Sequence, residues 1–435
     1  MKHFSRTLWT IGLVGVALAL GAVAFFFLPH GLRPVLPSPG QPTGAALVER
    51  GRYLTIAADC AACHTSKGGK PFAGGMEFAL PFGRIYSSNI TPDPVEGIGS
   101  WTDDEFVRAV KAGVGKHGED LYPAFPYASY ALLSDDDVLA IRAYLNTVAP
   151  AAISSRPSEL AFPFNQRYLM RAWKVLFVPR TEMQKDPSRD EQWNRGAYLV
   201  EGLAHCGECH TPRGLMFQRV QSKALSGAEV DGWKAWNITA DKKDGIGWWT
   251  DTEIADYLST GHSAGHGSAS GSMREAVDLS LSKLPKSDID AIVAYLRTVP
   301  PVAGDVAVRI SDQARSPGVS EAVAGDGLEL GRHIFAGACA ACHGWEASGQ
   351  FNPRAAIHGA HSFSDPKGAN LLRVILDGSS NAERRTGESM PAFSVVFSDA
   401  EIANLANYVL GRFGHIRGSV DEEDVRQARG VAAAP

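Results

Sequence analysis

Six cysteines fall into three frames of identical spacing: Cys60-Ala-Ala-Cys63-His64, Cys206-Gly-Glu-Cys209-His210 and Cys339-Ala-Ala-Cys342-His343. The pattern Cys-x-x-Cys-His is the signature of covalent haem c attachment. Two thiols one helical turn apart can each form a thioether to one haem vinyl group, and the adjoining histidine reaches the iron as proximal ligand. Competing chemistries fit less well. Zinc wants paired Cys-x-x-Cys units brought together and has no need of the same histidine three times. A thioredoxin-like redox pair belongs in a βαβ pattern, which this sequence lacks. Cysteines this close rarely bridge each other usefully as a structural disulfide. With no cysteine left over, the frames predict three covalently bound haem c groups, with His64, His210 and His343 as iron ligands.

An iron that only carries electrons usually takes a sixth ligand, and methionine opposite histidine raises its potential. Of the seven methionines, Met1 is trivial, Met170 and Met183 fall in a linker, and Met216 follows His210 too soon to reach the far face. Met273 and Met390 are therefore the axial candidates for the second and third haems. The first haem departs from this pattern. The internal repeat described below carries Met273 onto Phe125, within Leu121-Tyr-Pro-Ala-Phe125-Pro-Tyr127, and phenylalanine cannot bind iron. Met76, His117, a water or five-coordination all remain open there. His262 and His266 precede Met273 on a glycine-rich stretch that reads as a solvated loop rather than an electron gate or a proton-binding pair.

The elements that must hold these frames are helices. Each frame follows a helix-like segment containing a glycine: Glu49-Arg-Gly51-Arg-Tyr53-Leu54, Asn194-Arg-Gly196-Ala-Tyr198-Leu199 and Glu329-Leu-Gly331-Arg-His333-Ile334. A glycine there lets another helix cross closely. Each unit then closes with an amphipathic helix behind a start signal: Ser134-Asp-Asp-Asp137, Ser287-Asp-Ile-Asp290 and Ser398-Asp-Ala-Glu401. In the last, Ile402, Leu405, Tyr408 and Val409 share one face. Two crossing helices with haem attached between them are the cytochrome c arrangement. The predicted fold is mainly α: an N-terminal signal or anchor helix and linker over 1–46, then cytochrome c domains in tandem over 47–150, 191–300 and 326–418. Candidate linkers are Pro29–Gly44, Ala149–Glu191 and Pro300–Asp326.

The first two units are a duplication. Asn89-Ile-Thr91 matches Asn237-Ile-Thr239, and Gly97-Ile-Gly99-Ser-Trp101 matches Gly245-Ile-Gly247-Trp248-Trp249 at the same offset. These Asn, Thr and indole donors either hold the haem propionates or form turns and core.

Length and composition bound the class. A chain of 435 residues predicts two to four domains. Hydrophobic content of 45% and charged content of 20% argue against disorder. A net charge of −5 with evenly spread Lys and Arg argues against nucleic acid. Lys2, His3 and Arg6 precede an apolar run from Leu8 to Leu28, which meets the roughly 20 residues a spanning helix needs. The basic end stays inside, so the rest is expected on the periplasmic side of the inner membrane. Ala22-Val23-Ala24 offers a cleavage site, but Phe25-Phe26-Phe27-Leu28 extend the run past a usual signal peptide and favour an uncleaved anchor.

With Asn89-Ile-Thr-Pro-Asp93, Gly97-Ile-Gly-Ser-Trp101, Leu121-Tyr-Pro-Ala-Phe-Pro-Tyr127, Cys209-His-Thr-Pro-Arg-Gly214 and Met390-Pro-Ala-Phe393 in view, the sequence resembles a known family. It is similar, from about Leu47 to Arg417, to the triheme cytochrome c subunits of membrane-bound periplasmic dehydrogenases, such as the alcohol, aldehyde and gluconate dehydrogenases of acetic acid bacteria. The resemblance implies a large catalytic partner subunit and delivery of its electrons to membrane ubiquinone. Oxidation of an aldehyde or alcohol is the reaction expected of that partner. Its cofactor in the family is pyrroloquinoline quinone, flavin, or molybdenum with iron–sulfur clusters. The alcohol dehydrogenase branch has methionine where Phe125 stands. The phenylalanine looks more like cytochromes serving molybdenum-dependent aldehyde or N-heterocycle oxidation. No nucleophile elbow, dinucleotide loop or phosphate loop is present, so an electron-transfer subunit is expected rather than an enzyme. The alternatives are a multi-haem peroxidase or gas-binding enzyme at an open first haem, and a freestanding carrier or oxidase subunit.

Overall fold

In the computed structural model the chain is mainly helical. The structure describes residues 2–28, 34–303, 328–379, 389–414 and 416–431, with side chains from 12 to 430 within them. His30, His415 and most of the Pro300–Asp326 linker lie outside the described residues. The chain packs as two compact units, Met1–Thr55 with Cys63–Gln184, and Ile56–Ala62 with Lys185–Pro435.

The first unit contains helices α1 (Lys2–Phe27), α2 (Gly44–Ala57), α3 (Cys60–His64, at its border), α4 (Asp103–Ala112), α5 (Tyr127–Tyr130), α6 (Asp135–Leu145) and α7 (Leu169–Phe177). Strands β1 (Glu77–Leu80), β2 (Gly83–Tyr86) and β3 (Glu159–Leu160) form a small antiparallel sheet in that order. The helix α1 covers the apolar run found in the sequence. Among the described residues, no helix is long and apolar enough to cross a membrane.

The second unit contains α8 (Glu191–Ala197), α9 (Gly207–His210), the hairpin β4 (Ala228–Val230) and β5 (Trp233–Ala235), α10 (Asp251–Thr260), and the hairpin β6 (His262–Ser263) and β7 (Gly267–Ser268). It continues with α11 (Gly271–Leu279), α12 (Lys286–Leu296), α13 (Glu329–Ile334), α14 (Ala340–His343), α15 (Ala369–Asp377), α16 (Asp399–Phe413) and α17 (Glu422–Val431).

The glycine crossings are present in all three copies. A Cβ on Gly51 would fall on the Ala140 carbonyl and against Tyr144 of α6. A Cβ on Gly196 would meet Ala291 and Tyr295 of α12, and one on Gly331 would meet Asn404 and Tyr408 of α16. Only glycine permits backbones to approach so closely. In the first two copies the neighbouring arginine ties the same pair of helices: Arg50 to Asp137 at 2.6 Å and Arg195 to Asp288 at 3.0 Å. Leu330 takes that place in the third.

The start signals hold at two of three positions. The Ser134 hydroxyl accepts from the Asp137 N–H, and Ser398 with Glu401 closes a capping box. At α12 the helix instead begins at Lys286 behind an extended Pro285 N-cap that makes no side-chain capping bond, so Ser287 falls inside the first turn. Behind α16, Ile402, Leu405 and Val409 are buried with Phe335, Leu372 and Leu376, each worth roughly 1.5–3 kcal/mol relative to exposure.

The stretch Ala149–Glu191 is not the linker its composition suggested. It adds β3 to the sheet and packs α7 with the Trp173 ring edge-on to Tyr127 at 6.1 Å. Its anchoring is non-local: Lys174 Nζ lies 2.5 Å from Asp120.

Candidate haem sites

Each Cys-x-x-Cys-His frame sits on a short helical turn, α3, α9 or α14. None of the six cysteines is in a disulfide. Burial pushes the Cys206 thiol up to about 12, and Cys209 and Cys339 to about 11. A redox-active pair needs the opposite, a depressed thiol pKa.

The three histidines share one geometry. His64 Nδ1 lies 2.7 Å from the Ser88 carbonyl, His210 Nδ1 2.6 Å from that of Trp236, and His343 Nδ1 2.7 Å from that of Ala355. A carbonyl can only accept, so Nδ1 carries the proton and Nε2 keeps its lone pair for a metal. Burial lowers the pKa of His64 and His210, which favours the neutral, ligating form.

A glycine completes each cradle. The carbonyls of His64, His210 and His343 accept from the N–H groups of Gly74, Gly227 and Gly349 at 2.8, 2.8 and 2.9 Å. These glycines adopt φ of +71°, +95° and +75°. A Cβ on Gly74 would meet Ser88, one on Gly227 would meet Trp236, and one on Gly349 would meet Ala355. In each copy the glycine therefore abuts the residue that orients the histidine. Sequence reasoning missed these glycines and carbonyls, because the histidine-to-carbonyl separation is 24, 26 or 12 residues.

The axial candidates lie on separate elements. Met273 is half-buried in the first turn of α11. Met390 packs against the core around α16, and its backbone exchanges hydrogen bonds with Ser379. Phe125, at the matching place in the first unit, packs against Tyr127 and Tyr130 at 6.4 and 5.6 Å. Met76 pairs by its backbone with Ser87, next to the Ser88 that orients His64. His117 is exposed on a turn, its N–H donating to Glu119.

The Asn-Ile-Thr frames are structural stitches. Asn89 Nδ2 donates to the carbonyls of Ala151 and Ile153, and its Oδ1 accepts from Thr91. Asn237 does the same with Val302 and Thr239. Each ties the chain that leaves the closing helix to the loop behind the haem frame. His266 is not solvated: its side chain is 15% exposed, and its ring stacks on Trp249 at 3.7 Å.

Trp236 also meets the segment around the third frame. The ring stands edge-on to His361 at 4.4 Å, and β5 exchanges two hydrogen bonds with Asn370 through Lys234. Burial lowers the pKa of His361 to about 4, reinforced by His266 and Lys234, so a neutral ring faces the indole. The carbonyl that orients His210 thus lies one residue past a strand whose Lys234 is held by Asn370 of α15.

Paired thiols one turn from a histidine whose Nδ1 is committed and whose Nε2 is available fit haem c. The cradle's repetition fits the same group in each copy. The fold and sites therefore define a c-type cytochrome. The family described as Cytochrome c matches residues 48–149, and that described as Cytochrome C oxidase, cbb3-type, subunit III matches residues 326–409. The chain is 36% identical over 433 residues to the gluconate 2-dehydrogenase cytochrome c subunit of Pantoea cypripedii, covering 95% of this chain and 94% of that one. It is 38% identical over 422 residues to the fructose dehydrogenase cytochrome subunit of Gluconobacter japonicus, covering 91% and 86%. It is 42% identical over 407 residues to a nicotinate dehydrogenase subunit of Pseudomonas putida, covering 92% of this chain but only 33% of that longer protein. The chain belongs to the family of cytochrome c subunits of dehydrogenases. This kinship favours electron relay over catalysis by the chain itself.

Proposed function

We propose that this chain is a triheme cytochrome subunit that takes electrons from a periplasmic dehydrogenase catalytic subunit and delivers them to membrane ubiquinone. The observation that carries the proposal is the threefold cradle, in which glycine, carbonyl and histidine recur at each Cys-x-x-Cys-His frame. A single cradle would serve a carrier; three in series suit a relay. Haem, when bound, supplies one-electron exchange at its iron. The chain's part is to tether and orient. Its cysteines would hold the group covalently, the carbonyls of Ser88, Trp236 and Ala355 hold the histidines with Nε2 free to bind the iron, and Met273 and Met390 would be the further iron ligands at the second and third sites.

In this reading residues 47–150, 191–300 and 326–418 each serve one haem, and α1 anchors the chain in the inner membrane with the remainder in the periplasm. The catalytic partner is a large subunit, with a molybdenum and iron–sulfur enzyme favoured and pyrroloquinoline quinone or flavin enzymes as the other family choices. The similarity to a nicotinate dehydrogenase subunit supports looking first for a partner that oxidises an N-heterocycle or aldehyde.

The test is to extract the native protein in mild detergent, identify what copurifies and count haem per chain. A large dehydrogenase subunit with three haems per cytochrome chain is the expected result. A cytochrome that comes alone, or with an oxidase, overturns the partnership.

A further inference from the structure

The helix α7 is amphipathic in the reverse sense to an ordinary surface helix. Its charged residues point inward. Arg171 and Lys174 are each 9% exposed, and both face the buried Asp120, at 3.6 and 2.5 Å. Lys174 Nζ also donates to the Gly113 carbonyl at 2.9 Å. Between them Trp173 is buried against Tyr127 and Phe177. The outward residues are apolar: Val175 and Leu176 on the helix, with Phe162 and Phe164 on the turn before it. Leu176 is 65% exposed and Phe162 79%.

This apolar face is continuous with the C-terminal end of α1. Arg171 Nη1 donates to the carbonyls of Phe25 and Leu28, at 2.6 and 2.7 Å, which would otherwise lack an intrahelical partner. Tyr168, at the start of α7, meets the rings of Phe26 and Phe27 at 5.9 and 5.3 Å. Aromatic rings and an exposed apolar helix face beside the end of a longer apolar helix are the chemistry of a bilayer's headgroup–acyl boundary.

We propose that α7 and the Phe162–Phe164 turn are a second membrane contact, seated in the lipid interface beside the point where α1 emerges. The proposal rests on the anchor reading of α1 given above. Its occupant is lipid, because Tyr168, which begins α7, packs on Phe27 of α1 at 5.3 Å, and Phe27 and Leu28 are themselves exposed apolar residues at the end of that helix. A consequence concerns the first haem site. The inward side of α7 grips Gly113, Asp120 and Tyr127, the loop that carries Phe125, so lipid contact would hold that site's far side at the membrane surface.

The test uses the full-length haem-loaded protein in lipid nanodiscs. With its native cysteines held as thioethers, an introduced cysteine is the thiol available for a spin label. Labels at L176C and F162C are compared with L18C in α1 and with V95C, an exposed site in the same unit (82% exposed in the native chain). Accessibility to oxygen and to a water-soluble nickel chelate is read by power saturation. The expected result is an oxygen-to-nickel accessibility ratio several-fold higher at 176 and 162 than at 95. If 176 and 162 behave like 95 while 18 is lipid-like, the second contact is refuted and the anchor stands. If 18 is itself water-like, both fall. If 176 and 162 are shielded from both reagents in the isolated cytochrome, a second protein copy covers the face and the lipid assignment is wrong.

Discussion

Replacing Gly74 by alanine should disturb the first haem through a backbone contact alone. Gly74 sits at φ +71°, and an added Cβ would come within 2.5 Å of the Ser88 carbonyl carbon and oxygen. The left-handed conformation costs an ordinary residue roughly 1–2 kcal/mol. Overpacking against fixed backbone adds about 1–3 kcal/mol. The sum of roughly 2–5 kcal/mol predicts a melting shift on the order of 10 °C for a unit of this size. The easiest relief is to push Ser88 away, which lengthens the 2.7 Å contact from His64 Nδ1. That hydrogen bond makes the imidazole a stronger donor and so favours the oxidised iron. Losing about 0.5–1 kcal/mol of that preference raises a one-electron potential by roughly 20–40 mV, given 59 mV per tenfold change. The assay is a potentiometric titration of the holoprotein followed by electron paramagnetic resonance, paired with a thermal melt. Ser88→Ala is the control, since Ser88 acts through its carbonyl and its side chain is exposed. A Gly74→Ala protein with native potential and melting temperature would refute the cradle argument.

Other expectations probe different parts of the fold. Gly196→Val places a side chain on the Ala291 carbonyl and should force α8 from α12, costing more than about 3 kcal/mol in urea unfolding. Lys174→Met removes a cation paired with buried Asp120 and should cost about 3–5 kcal/mol, partly recovered by adding Asp120→Asn, as read by thermal melts. Met390→Ala should abolish one methionine–iron charge-transfer band and leave the haem count unchanged; an unaltered spectrum would remove Met390 from the ligand set. The remaining expectation concerns pH. Burial, aided by the Glu275 carboxylate and opposed by Lys283, raises Asp59 from 3.8 to about 8. Its contribution to stability is then fully present below the unfolded value and declines as pH rises from about 4. It is lost once pH passes about 8. Asp59→Asn should flatten that part of the stability profile, and an unchanged slope in denaturant titrations across this window would show that another group is responsible.

The cofactor chemistry was legible because it is local. Two thiols and a histidine within five residues form the haem c attachment signature whatever surrounds them, and kinship with cytochrome c subunits agrees with that chemistry. The helix starts at Ser134 and Ser398, and the crossing glycines Gly51, Gly196 and Gly331, were legible for a similar reason. Caps act within one turn, and close crossings demand the one residue without a Cβ. The family resemblance rested on equally local motifs.

What orients the histidines was decided only in three dimensions. Any residue has a carbonyl, so nothing in the identity of Ser88, Trp236 or Ala355 marks it as the partner of a haem histidine. The Asn-Ile-Thr frames looked able to hold propionates, yet their asparagine side chains are committed to the chain that leaves each closing helix. His266 reads as a loop residue until the fold lays it on Trp249. The stretch around α7 reads as a linker because its partners, Asp120 and the end of α1, lie far away in the chain. Residue type and short spacing encode covalent and helical chemistry; which distant carbonyl or carboxylate a side chain meets is set by packing, which spacing does not record.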